Sequence, residues 1–513
     1  MKDLSRRYRS ICCVAALVAL ALAMIPVNGC ARFARKVTYE EPFEPTWESL
    51  EKVNEAPDWF RDAKFGIYFH WGVYAVPAFG SEWYPRNMHN IKGREYKHHV
   101  ETWGDPTEFG YPDFVPMFKA EKFDADEWAK LFKQAGARFA GPVAEHHDGW
   151  AMWDSDMTPW NVMDKGPKRD ITGELEKAIR KRGMKFVTSF HHARNCLWQK
   201  PNRQGRLAWT GHYSFVKENF PSLLDDPERA IMYGSMPREK FLEMWFGKLK
   251  EVIDRYHPDL MWFDSWLDEI PEYLRREYLA YYYNHARELG KEVVVTRKQE
   301  DLPLSASVHD IEKGRSDRLT ENFVLTDDTI SMGSWCYTQD LRIKPTPVVL
   351  HSLIDIVSKN GALLLNISPL ADGTIPDVQR NVLLEMGQWL KINGEAIYGT
   401  RPWKIYGEGR TEGQSGRFGG VTDPKEGYQP QDIRFTTKGE TLYAISLGWA
   451  DEPLTIRSLK AGSDLCPAEI ASVKLLGSRA KLQWTRTADG LTITMPEKQP
   501  CDHAVVFKIT PRK

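Results

Sequence analysis

Leu260-Met261-Trp262-Phe263-Asp264-Ser265-Trp266 is an apolar run that ends in a carboxylate set between two indoles. The His257-Pro258-Asp259 turn signal bounds it upstream, so Leu260 to Phe263 reads as a short buried strand. A carboxylate at the C-terminal tip of such a strand is costly to desolvate and needs a compensating role. Indole faces beside it offer the flat apolar surface on which sugar rings stack. Asp264 therefore reads as a glycosidase nucleophile or a sugar-binding carboxylate, against the plainer alternative of an Asp capping the next helix.

Four other strand-like runs end in polar or aromatic chemistry in the same way. Lys64 to Phe69 runs into His70-Trp71-Gly72, and Arg138 to Val143 into Glu145-His146-His147-Asp148-Gly149-Trp150. Met184 to Phe190 runs into His191-His192, and Glu292 to Thr296 into Arg297-Lys298. Between them lie amphipathic stretches at helical spacing, Asp124–Ala135, Thr172–Lys181 and Arg238–Tyr256. Strands alternating with helices imply a parallel sheet. Function gathered at many strand C-termini favours a barrel, whose βα loops all face one mouth. The expectation is a (β/α)8-like catalytic domain over residues 45–398.

Composition agrees with a soluble enzyme of more than one domain. The 513 residues carry 69 Lys+Arg against 70 Asp+Glu, a net charge of -1, so no basic footprint for nucleic acid is present. Aromatic residues make up 12%, with 19 Trp, several beside predicted loops (Glu82-Trp83-Tyr84, Trp150-Ala151-Met152-Trp153), which fits a carbohydrate cleft. From about Asp432 the pattern changes to short strands broken by Gly, Asp, Lys and Pro, the mark of an antiparallel β-sandwich, expected over 400–513. It carries no catalytic constellation.

Residues 1–30 read as an export signal: Arg6, Arg7 and Arg9 precede an apolar Ile11–Pro26 segment too short for a convincing membrane span. Val27-Asn28-Gly29-Cys30 resembles a lipoprotein cleavage box, so Cys30 is the expected lipidation site. The expected location is periplasmic or cell-surface, with a lipid anchor as the only membrane contact, or else simple secretion. Membrane fractionation of a Cys30→Ser chain distinguishes the two. Of the seven Cys, Cys196, Cys336, Cys466 and Cys501 remain in the mature part; their spacing matches no metal framework, and a Cys466–Cys501 bond is left open.

Taken in order, the segments Trp59 to Gly66, His70-Trp71-Gly72, Glu82-Trp83-Tyr84, His146 to Trp150, Lys168-Arg169-Asp170, Trp262-Phe263-Asp264, Asn360 to Pro369 and Asn393 to Gly399 resemble the α-L-fucosidases of glycoside hydrolase family 29. The resemblance spans roughly residues 45 to 510. It implies an exo-acting retaining α-L-fucosidase working by double displacement on a fucosylated glycan, without a cofactor. Asp264 falls at the family's nucleophile position. Glu312, spaced from Arg297 much as in the family, is the implied acid/base, with Glu321 the runner-up. The implied sugar-binding residues are His70, Glu82, Trp83, His146, His147, His191, Trp262, Arg297 and Trp335; many relatives have Tyr in place of His191. Two alternatives stand beside this. One is action on a related sugar such as an α-L-galactoside. The other is a metal-dependent hydrolase using His70, His146, His147 and His191. Against the metal, no zinc-type spacing occurs, and adjacent His146 and His147 are expected to point apart on an extended strand end.

Overall fold

Eight parallel strands follow one another around a closed barrel, and the last returns to pair with the first. They are β1 (Phe65–Phe69), β2 (Phe139–Glu145), β3 (Lys185–Phe190), β4 (Leu260–Phe263), β5 (Val294–Arg297), β6 (Val308–Asp310), β7 (Val324–Thr329) and β8 (Gly361–Ile367). The computed structural model describes residues 39–512 apart from 40, 412–423 and 425–426. The export segment and Cys30 lie outside the described residues.

Alternation of side chains across each strand sorts the core in two. Tyr68, Phe139, Val143, Val187, Leu260, Trp262, Val294, Val308, Leu325 and Leu364 point inward and form one cluster, the barrel lumen. Their neighbours in sequence, among them Ile67, Phe186, Met261, Val295 and Leu363, pack in the larger core that includes the surrounding helices. The lumen is tight enough to demand glycine at one point: a Cβ on Gly141 would sit 1.7 Å from the Val187 carbonyl oxygen. The helices lie close to their expected ranges, at Ala125–Gln134, Ile171–Lys181 and Arg238–Tyr256. Asp124 and Asp170 cap the first two by accepting from the Glu127 and Gly173 amides.

Sequence periodicity had identified only five barrel strands. β6 is three residues long and gives no period to read, and β7 has only Val324 and Leu325 as apolar residues before Thr326, Asp327, Asp328 and Thr329.

The C-terminal region holds two antiparallel sheets. A five-stranded one runs in the order Arg401–Glu408, Ile433–Lys438, Thr441–Ser446, Val505–Pro511, Ile470–Leu475; a three-stranded one in the order Leu454–Ile456, Leu491–Ile493, Trp484–Arg486. Phe435, Leu442, Ala444 and Phe507 pack toward the small sheet, while Tyr443, Ile445 and Val506 join the barrel's core, so the larger sheet is buried on both faces. Cys466 and Cys501 are free thiols.

Candidate active site

The inward alternation of the lumen continues past the strand ends and sets the site. Leu260 and Trp262 lead to Asp264, Val294 and Thr296 to Lys298, and Val308 and Asp310 to Glu312. Tyr68 leads likewise to His70, Ser189 to His191, Leu325 to Asp327 and Leu364 to Asn366. β2 alone breaks step. Its register shifts between Val143 and Glu145, Glu145 pairs with Lys248 at 2.7 Å, and the chain turns at His146. The expectation that His146 and His147 point apart is therefore corrected: their ring centroids are 4.8 Å apart and both line the pocket.

The pocket measures about 120 Å³ and is walled by Glu82, Trp83, Trp262, Trp266 and Trp335 around the polar groups. Asp264 lies at its centre. Its Oδ2 accepts from His147 Nε2 at 3.0 Å and lies 3.3 Å from His191 Nδ1, while Oδ1 meets Lys298 Nζ at 3.1 Å. The same ammonium reaches Glu312 Oε2 at 2.8 Å, Asp327 at 3.6 Å and Asp310 at 3.9 Å, and lies 4.5 Å from the Trp262 ring centre. His70 is fixed by Asn366, whose Oδ1 accepts from the His70 amide at 2.9 Å and lies 2.8 Å from Nδ1. Glu82 accepts from the Trp335 amide and the Ser334 hydroxyl.

These contacts separate the two candidate catalytic carboxyls electrically. Burial opposes charge on Asp264, but Lys298, His191 and His147 outweigh it and hold the carboxyl well below its usual range. Glu312 is pushed up to about 7, by burial first and by the charges of Asp327 and Asp264, with Lys298 pulling the other way. Burial would lower Lys298, yet the surrounding carboxyls, Asp327 and Asp264 foremost, carry it well above its usual value. Burial lowers His70, His146 and His191, the last to about 4, so these imidazoles are neutral near pH 7, each with one donor and one acceptor.

Of the residues singled out from sequence, the structure brings together Asp264, Glu312, His70, Glu82, Trp83, His146, His147, His191, Trp262 and Trp335. Arg297 is not among them. It falls on the outward parity of β5, and its guanidinium donates to the Leu302 carbonyl at 2.6 Å; Lys298 enters instead. Glu321 is also apart: it is exposed and precedes the N-terminal end of β7, at the opposite end of the barrel from the mouth. Trp150 and Trp153 are core residues rather than cleft walls. Tyr68 and Asp327, joined by a 2.9 Å hydrogen bond, line the pocket but were missed. Nitrogens of His70, His146 and His191, and atoms of His147, His191 and Asp264, lie within 4.8 Å of one another, close enough to approach a shared cation.

A closed parallel barrel whose mouth holds one carboxyl kept ionised and a second raised toward neutral pH, inside an indole-walled pocket, has the make-up of a glycoside hydrolase. Comparison with known proteins narrows this. Residues 31–395 match the family model described as Alpha-L-fucosidase, and residues 427–510 that of the Alpha-L-fucosidase C-terminal domain. The chain is 32% identical over 487 residues to the plasma α-L-fucosidase of Homo sapiens, covering 91% of this chain and 92% of that one. It is 31% identical over 470 residues to the tissue enzyme of Rattus norvegicus, covering 89% of each. The crystal structure of Thermotoga maritima α-fucosidase in complex with fucose matches with a TM-score of 0.71 at 28% identity, over 91% of this chain and all of that one. The chain belongs to the α-L-fucosidase family.

Proposed function

We propose that the protein is an exo-acting, retaining α-L-fucosidase with Asp264 as nucleophile and Glu312 as acid/base. The observation that carries this is the ammonium of Lys298, shared by the two carboxylates. Contacts of 3.1 and 2.8 Å to one nitrogen hold the nearest oxygens no more than about 6 Å apart, which accommodates the ~5–5.5 Å carboxyl separation of retaining enzymes. In the first step Asp264 attacks the anomeric carbon as the glycosidic C–O bond breaks, and the Glu312 proton passes to the departing oxygen. In the second step Glu312 takes a proton from water, which attacks the same carbon and releases Asp264. The opposed shifts of the two carboxyls suit these roles: one is ionised, and the other keeps its proton up to about pH 7.

His70, His146, His147, His191 and Glu82 present donors and acceptors to the ring hydroxyls, and the indoles cover its apolar face. The small pocket at the barrel mouth suits one terminal sugar, which supports exo action. The same Thermotoga enzyme, captured with fucose and with a mechanism-based inhibitor, supports both substrate and mechanism. A fucosylated oligosaccharide or polysaccharide is the implied partner.

Asp264→Ala is expected to fold and lose more than about 1000-fold in turnover. Azide should rescue it by entering the vacated space, giving a β-fucosyl azide identifiable by NMR. Near-normal turnover by the folded variant, or an α-azide, would remove Asp264 from its role. The histidine cluster favours one second reading, metal-assisted hydrolysis; α-L-fucoside cleavage that is lost on chelation and restored by a divalent ion would support that reading instead.

A further inference from the structure

Around Trp83, at the edge of the sugar pocket, three nitrogen-bearing side chains gather with few acceptors to meet them. Arg194, in the turn after β3, lies 4.1 Å from the Trp266 ring centre and 5.5 Å from that of Trp83. Its guanidinium makes no hydrogen bond or ion pair among the described residues. Arg86, three residues after Trp83, lies over Phe215 at 4.0 Å; its Nε is buried and unpartnered, and its one hydrogen bond, to Asn87, is a long 3.4 Å. His212 is fully buried, 5.2 Å from Trp83, and stacked on His147 of the pocket; neither of its ring nitrogens has a hydrogen-bond partner.

The charges here are unbalanced. Burial and the neighbouring Arg194 push the Arg86 guanidinium down to about 10. Burial, then His147 and both arginines, hold His212 well below its usual range, so it is neutral and keeps one N–H to donate. The carboxylates within electrostatic reach do not complete the site: Asp264 is held by Lys298 and His147, Glu269 is engaged by Lys200, and Glu218 is exposed. Half-buried cations with unused donors are costly unless an acceptor arrives. Paired guanidinium forks fit best a group with several charged oxygens. Trp83 and Trp266 also wall the sugar pocket, so an anion here would sit on the same glycan.

We propose that Arg86 and Arg194, backed by the buried His212, form an anion subsite at the pocket's edge, and that the preferred substrates carry a sulfate ester or a carboxylate on or beside the terminal fucose. The inference rests on the fucosidase reading and goes beyond it by naming the substrate class. The alternative is that the arginines only staple loops by stacking on aromatic rings.

The test uses the full chain and three matched fucosides: neutral, sulfated, and linked to a uronic acid. One anionic form should be cleaved with a kcat/KM roughly tenfold above the neutral one, and the advantage should shrink with added salt. Which form wins distinguishes sulfate from carboxylate. The ratio should fall toward unity in Arg194→Met and Arg86→Met, which keep apolar stems against the rings. Separately, inorganic sulfate titrated at constant ionic strength should perturb tryptophan fluorescence in the wild type and not in the double variant. A ratio of one for both anions, with the neutral fucoside still cleaved, would overturn the subsite and leave the fucosidase reading intact. Equal sulfate binding by wild type and variant would also overturn it. Were no fucoside cleaved, the underlying reading would fall, and the sulfate titration would still decide on the anion site.

Discussion

One ammonium faces four carboxyls at the mouth of the barrel, while on the barrel's flank one carboxylate faces several cations. At the mouth, Lys298 is shared by Asp264, Glu312, Asp327 and Asp310. On the flank, Asp355 of the helix Thr346–Ser358 holds Lys359 at 2.8 Å and Arg434 of the C-terminal sheet at 2.6 Å, with Arg315 adding its charge. Both clusters are buried, yet they behave oppositely. The mouth lacks enough positive charge for all its carboxyls: burial and Asp327 drive Asp310 well above its usual range, and Glu312 rises to about 7. On the flank burial resists ionisation of Asp355, but Arg434 and Lys359 overcome it and keep the group below its usual value. A cluster short of cations holds a labile proton and can do acid–base work. A cluster with cations to spare holds a fixed charge and ties two domains together.

Removing a cation from each cluster probes this contrast. Lys298→Met should cut kcat/KM by about 1000-fold, because Asp264 loses its strongest partner and its carboxyl rises toward the ordinary range. Lys298 also pulls Glu312 down, so the residual activity should keep its alkaline limb at a higher pH than wild type. A large loss with an unmoved limb would mean that Lys298 acts only by packing.

The wild-type pH profile is a milder probe. Glu312 must be protonated to act as acid, and its raised value places the loss of kcat/KM on rising pH near 7. Asp264 is held low, so the acidic limb should lie well below that. An alkaline limb unaltered in Glu312→Ala would assign it to another group.

Arg434→Met should have the smallest effect on chemistry. It leaves Asp355 buried with one cation fewer and should cost about 3 kcal/mol of stability, read as a lower denaturation midpoint, while kcat/KM on an aryl fucoside stays close to wild type. Loss of activity without loss of stability would show that the flank cluster serves catalysis after all.

Much of the mouth was legible in the sequence because strand-end polarity after apolar runs is a local signal. Asp264, His70 and His191 each follow such a run and lie in the pocket. The choice of Arg297 over Lys298 overlooked a signal that was present: counting inward positions in twos from Val294 reaches 298, not 297. Asp327 was hidden because a carboxylate inside a strand looks like a break in it, and its worth comes from Tyr68 and Lys298, remote in sequence. His146 and His147 were misjudged because the register shift after Val143 belongs to the pairing of β2 with β3, which no single segment reveals. The flank cluster joins Asp355 to Arg434 across 79 positions and had no sequence signature at all.

The central claim, that Glu312 exchanges the proton between the two steps, is tested most directly by leaving-group dependence in Glu312→Ala. A general acid matters most when the departing alkoxide is poor. The variant should lose on the order of 100-fold more rate on a natural fucosyl disaccharide than on an activated aryl fucoside. With the aryl substrate a glycosyl-enzyme should accumulate on Asp264, seen as a burst of aryl alcohol, and azide should speed turnover and yield the α-linked azide. Equal losses on both substrates, with no burst and no azide product, would contradict the assignment.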